Sequence, residues 1–228
     1  MIPCGGLSDH DALHAKLTAE QLLSELATIA ERIRSCIDCP LSRTRTTAVP
    51  GEGPEMPRLM FVGEGPGFYE DQQGRPFVGP AGRLLEQLLG LVGMDRTQVF
   101  ITNVVKCRPP ENRDPFPSEI QACRNYLDHQ IRVLKPQVVA TLGRYSLAHF
   151  FPQELISKAH GRPRPSGTMT VYPLYHPAAA LRSPAVKKTL EDDFRRIPGL
   201  LKELEQRATK SETIARPSEP ETEQMKLF

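Results

Sequence analysis

Cys36 and Cys39 stand two residues apart, and Cys107 and Cys123 follow with fifteen residues between them. Thiolates in sets of four hold iron-sulfur clusters or zinc, and a Cys-x2-Cys pair on one turn suits one corner of such a site. The second spacing matches neither the ferredoxin runs nor the repeated Cys-x2-Cys of a zinc ribbon, so the pattern alone leaves iron-sulfur and zinc both open. Cys4, in a glycine-rich polar stretch, reads as a free thiol outside this set. The quartet brackets two stretches with other chemistry: Gly63-Glu64-Gly65-Pro66-Gly67, and the run from Asn103 to Asn112 that contains Cys107. A third, His176-Pro-Ala-Ala-Ala-Leu-Arg182, lies downstream. The glycine turn could cradle a phosphate, but it is neither a dinucleotide fingerprint nor a lysine phosphate loop. The interleaving ties a metal-type site to a loop-borne pocket, as expected of a metal-stapled enzyme.

Such loops need a scaffold. Thr18-Ala-Glu-Gln21 has the form of a capping box, and Leu22, Leu23, Leu26, Ile29 and Ile33 recur at helical spacing up to about Cys36. Leu59 to Gly63 is a short continuous apolar run, which is how a strand buried on both faces reads. A helix over Pro80 to Val92 and a β-branched strand over Val99 to Val105 follow. After a proline-rich loop come a helix from Ser118 to Leu134, a strand over Val138 to Gly143, and a short helix from Arg144 to Phe150. A strand over Thr170 to Tyr175 and a last helix over Val186 to Arg207 complete the set. Strands alternating with helices predict an α/β fold, a three-layer αβα sandwich around a four-stranded parallel sheet. Ligands in such sheets bind beyond the carboxyl ends of the strands, where the three chemistry-bearing stretches should converge.

The chain has 228 residues, 39% of them hydrophobic and 25% charged, enough for one packed domain. No apolar run approaches the roughly 20 residues of a membrane span, and the first residues lack the order of a signal peptide, so a cytoplasmic protein is expected. A reducing compartment leaves thiols free for metal. The net charge is +2, a weak hint of a polyanionic partner. The placement of Arg43, Arg45, Lys106, Arg108, Arg113, Arg144 and Arg182 in or beside loops, where they could reach phosphates, says more.

Taken together, GEGPGFYEDQQGRPFVGPAG, ITNVVKCRPPENRDP and HPAAALR, in that order with the four cysteines, resemble the family four uracil-DNA glycosylases, the iron-sulfur branch of that superfamily. The similarity spans roughly residues 30 to 200. It implies a monofunctional enzyme that hydrolyses the glycosidic bond of deoxyuridine in DNA, and a structural 4Fe-4S cluster on Cys36, Cys39, Cys107 and Cys123. It also implies base flipping, because a glycosylase must bring the nucleotide out of the stack. On the matching positions, Asn103 reads the uracil edge, Phe77 stacks on the base, and His176 faces the carbonyl that gains charge as the bond breaks. The loop amides around Gly65 contact uracil, and Glu64 is the candidate to orient water or stabilise the cationic sugar. Other branches carry an aspartate where this chain has Gly65, so the general base stays open, with Glu70 and Asp71 as alternatives. Asn112 matches a second asparagine that supports the water or the base. Leu181 or Arg182 would wedge into the space the flipped base leaves. A covalent uracil-trapping relative carries a histidine in a basic loop near the second motif, which Arg108 to Pro115 lacks. A noncatalytic iron-sulfur module that binds DNA or senses uracil is the alternative from another class.

Residues 1–17 read as a flexible leader, 18–207 as the catalytic domain and 208–228 as a disordered tail rich in Thr, Ser, Glu and Pro. The chain ends Gln224-Met-Lys-Leu-Phe228, which resembles the peptides by which bacterial repair proteins dock on the replication sliding clamp. A monomer acting on uracil-containing DNA is expected.

Overall fold

The computed structural model describes residues 19–215. The leader, Cys4, the Thr18 cap and the Gln224 to Phe228 peptide lie outside the described residues. Helix α1 (Ala19–Ser35) leads into strand β1 (Leu59–Gly63), followed by α2 (Phe68–Gln73), α3 (Pro80–Leu91) and β2 (Phe100–Asn103). Next come α4 (Pro117–Leu134), β3 (Val138–Leu142), α5 (Arg144–Phe150) and α6 (Ile156–Ala159). The chain then forms β4 (Arg164–Ser166), β5 (Met169–Leu174), α7 (Pro177–Ala180), α8 (Pro184–Phe194) and α9 (Ile197–Ala215).

The sheet has five strands, not four, in the order β2-β1-β3-β5-β4. Four are parallel, and β4 pairs antiparallel with β5 at the edge. Its Arg164-Pro165-Ser166 sequence hides the strand, since proline is tolerated in a sheet only where one side of the strand is unpaired. The expected final helix is broken into α8 and α9, and α9 runs on to Ala215, past the point where the composition turns polar. Among the described residues no helix is long and apolar enough to cross a membrane.

Alternation along the strands builds two cores. Leu59 and Phe61 face α3, α8 and α9 through Leu84, Leu85, Phe194 and Leu201. Met60 and Val62 face α1 and α4 through Ile29, Ile33, Leu127 and Val133. This is the three-layer sandwich. Beyond β1 the chain turns first to β2 on one side and later to β3 on the other. That reversal opens a crevice at the carboxyl ends, where a ligand has room between diverging loops.

Candidate active site

The loops after β1 and β2 are sewn together by backbone. Val104 and Val105, expected to continue the strand, instead donate their amides to the carbonyls of Gly63 and Glu64, each at 3.0 Å. Asn103 thereby becomes the last residue of a rigid edge, beside Gly63 in the strand register. A methyl group on Gly63 would sit 2.3 Å from Asn103 Oδ1 and 2.6 Å from Phe77 Cζ. Asn103 is 1% exposed, and its Oδ1 finds no hydrogen-bond partner among the described residues. A buried acceptor of this kind costs free energy unless a ligand satisfies it.

Phe77 reaches the same spot through strain. Its φ is +52°, a left-handed conformation that costs a bulky residue about 1–3 kcal/mol and tends to persist at functional sites. Three contacts hold it. Arg96 donates Nη1 to the Phe77 carbonyl at 2.8 Å, and Glu70 accepts the amides of Val78 and Gly79 at 2.9 and 2.8 Å. At Gly82 any side chain would collide with the Phe77 carbonyl, 1.9 Å away. The Phe77 ring lies 5.7 Å from the His176 ring, centroid to centroid.

His176 caps α7. Its Nδ1 accepts the Ala178 amide at 3.1 Å, which leaves the proton of the neutral imidazole on Nε2. Burial, reinforced by the charge of Arg182, pushes its pKa down to about 4. The ring is therefore neutral at physiological pH, a choice that sequence left open. Behind it Gly143, with φ +92°, brings β3 to within 3.1 Å of the His176 Cβ, measured from where its own Cβ would stand.

Glu64 is half-buried. Burial, and then the charge of Asp114, raise its pKa to about 7 against the opposing charge of Arg144. Arg144 is paired with Asp114 and lies over the Tyr145 ring at 4.6 Å. The two alternative carboxylates are otherwise engaged. Glu70 holds the Phe77 loop, and Asp71 accepts the Thr46 amide at 2.9 and 3.1 Å. Gly65 needs its lack of a side chain, since a Cβ there would meet Val105 Cγ2 at 2.7 Å. An aspartate would fit only if the Val105 side chain moved aside.

Not every expected residue converges. Asn112 is exposed, with φ +53°, and its Oδ1 accepts from Arg108 Nε at 2.7 Å. It belongs to the rim. Leu181 and Arg182 are also exposed, at the end of α7. Sequence reasoning passed over Gly143 and Asp114, and took Arg144 only as a loop cation that could reach phosphate. The glycine ending Thr-Leu-Gly after β3 was the available signal, because it repeats the strand-to-glycine pattern of β1.

On the other face of the sheet, Cys36, Cys39, Cys107 and Cys123 line one pocket with Arg45, Lys106 and Tyr126. All four thiols are free. Among the described residues no three His, Cys, Asp or Glu side chains gather as they would around one ion. Two of the sulfurs accept N–H donors, one of them cationic. Arg45 Nη1 donates to Cys107 Sγ at 3.0 Å, and the Lys106 amide donates to Cys123 Sγ at 3.3 Å. Lys106 is 1% exposed, and its ammonium donates to Thr102 Oγ1, Asn103 O and Gln130 Oε1 at 2.6, 2.7 and 2.7 Å. Those acceptors are neutral. A buried ammonium among them is tolerable where anionic sulfur stands behind it, so the donor set fits metal-bound thiolates.

Residues 50–196, more than half of the chain, match the family model described as the uracil DNA glycosylase superfamily. The chain is similar to the type-4 uracil-DNA glycosylase of Sulfurisphaera tokodaii, 48% identical over 185 residues that cover 77% of this chain and 84% of that protein. It is likewise similar to the type-4 uracil-DNA glycosylases of Archaeoglobus fulgidus, 42% identical with 77% and 92% covered, and Thermotoga maritima, 41% identical with 81% and 97% covered.

Proposed function

The chain belongs to the uracil DNA glycosylase superfamily, and from that membership we propose that it hydrolyses the bond between uracil and deoxyribose in DNA, releasing uracil and leaving an abasic site. The observation that carries the reading is the unpartnered Asn103 Oδ1, buried between Gly63 and the Phe77 ring. An everted uracil stacked on Phe77 offers that oxygen its ring N–H, and the Asn103 amide nitrogen donates to the neighbouring uracil carbonyl. Cytosine presents the reverse pattern and leaves both groups unpaired.

Neutral His176, with its proton on Nε2, donates to the uracil oxygen on which charge grows as the bond breaks. Because that charge is greatest in the transition state, one such donor lowers the barrier by about 3 kcal/mol. Glu64, ionised in part at neutral pH, stabilises the cationic sugar and orients the incoming water. Leu181, with Arg182 beside it, fills the gap in the duplex.

The four cysteines would hold a 4Fe-4S cluster, which supplies rigidity rather than electrons. Arg45 and Lys106 balance its charge, and Lys106 links it to Asn103. Gln224 to Phe228 would dock the enzyme, a cytoplasmic monomer, on a sliding clamp. Deleting those residues should abolish clamp pull-down and leave excision intact.

The test is release of uracil from a labelled oligonucleotide, read by alkaline cleavage of the abasic product. Binding without release would mark a noncatalytic uracil-sensing module instead. Asn103→Ala and His176→Ala should each lose activity and keep the brown colour of the cluster.

A further inference from the structure

The pocket mouth has an aromatic rim that excision, as described, leaves unused. Phe68 and Tyr69 open α2 directly after the Gly63 to Gly67 turn, and they stay 50% and 51% exposed. Their rings meet edge to face with centroids 5.5 Å apart. The Arg108 guanidinium lies 5.1 Å over the Phe68 ring, held there by its bond to Asn112. The rim is continuous with the pocket. Tyr69 Cδ2 is 3.1 Å from where a side chain on Gly79 would begin, two residues after Phe77. The Arg108 loop repeats the device, with Arg113 3.8 Å over the exposed Phe116 ring and pinned by Glu119.

We propose that Phe68, Tyr69 and Arg108 form a stacking platform for unpaired bases next to the everted nucleotide, which makes single-stranded DNA a substrate held through its bases. The proposal rests on the reading of the chain as a uracil-DNA hydrolase. Bases flanking a flipped nucleotide in a duplex stack on their outer neighbours and, across the vacated gap, on the wedge that fills it, so rim rings would meet only sugar and phosphate. On a single strand those faces are free. Stacking on an aromatic ring tolerates any sequence, and a neighbouring arginine adds a cation-π contact and a hold on phosphate.

Fluorescence anisotropy with a uracil-free oligothymidylate tests this in the full chain. Phe68→Ala should bind it about tenfold more weakly than wild type, and Phe68→Trp should restore the affinity. Neither change should alter binding to a strand of equal length whose thymines are replaced by abasic spacers, or to a paired duplex. An oligothymidylate affinity within about twofold of wild type in Phe68→Ala would overturn the platform, and so would an equal loss on the abasic strand. Uracil release by the same wild-type preparation separates the two readings. Active enzyme with unchanged single-strand affinity condemns the platform alone, whereas inactive wild type condemns the proposed function and the platform with it.

Discussion

Gly63 and Asn103, side by side at the ends of β1 and β2, touch so closely that a methyl group on Gly63 would stand 2.3 Å from the asparagine oxygen. Gly63 has no positive φ, so alanine suits its backbone and only the space is lacking. Gly63→Ala should fold and keep the proposed cluster, at an overpacking cost of about 1–3 kcal/mol. The amide and the Phe77 ring must move apart, and a misplacement of about 1 Å can cost on the order of 100-fold in rate. Excision should fall by that order while the visible absorbance is unchanged. Near-normal turnover would show that the base does not enter between Gly63 and Phe77.

The pH profile separates Glu64 from His176. With a pKa near 7, Glu64 should give the excision rate an ascending limb around that pH. His176, at about 4, should give none between pH 5 and 8, a window bounded by ordinary side-chain values. Glu64→Gln should lower the rate and abolish the limb; a limb that survives would belong to another group. Stability runs the other way. The folded state keeps a proton that the unfolded chain releases near pH 4.5, so stability falls as pH rises from there through about 7. Glu64→Gln should therefore gain on wild type by about 1–2 kcal/mol between pH 5 and 8, after discounting for solvent screening, as read by denaturant midpoints.

Leu181, the proposed wedge, is 52% exposed at the end of α7, too wet for a core residue. Leu181→Ala should cut excision from duplexes by about tenfold, because filling the vacated stack offsets the cost of unstacking. Single strands have no stack to fill, and their excision should stay close to wild type. Equal losses on both would make Leu181 a packing residue of its own loop.

Periodicity made the layers legible: the apolar stripes of α1 and α3 and the uniformly buried runs of β1 and β3 can bury only against one another. Strand β4 was hidden because its residues satisfy an edge and a turn rather than a core. Asn103, Phe77 and His176 were legible through the resemblance, whereas Arg96, which holds Phe77, and the Asp114–Arg144 pair, which sets the charge around Glu64, act from distant segments with no local signature. Asn112 carries loop geometry beside its place in the motif. A residue in a motif can serve the shape of its loop, here by tethering Arg108.

The ammonium of Lys106 ties the two halves of the site together, since it donates to the Asn103 carbonyl at 2.7 Å while its own amide donates to Cys123 Sγ. Methionine matches the length of the lysine stem but donates nothing. In Lys106→Met the Asn103 and Gln130 carbonyls lose a buried donor, each such loss costing about 1–3 kcal/mol, so a lowered melting temperature is expected. The four cysteines are untouched, and the iron content proposed for them should remain at the wild-type level. Excision at saturating substrate should nevertheless fall by about 10- to 100-fold, because the strand end that aims the Asn103 amide has lost its anchor. Full turnover in Lys106→Met with iron intact would show that the backbone bonds from Val104 and Val105 hold that strand end without help from the metal side.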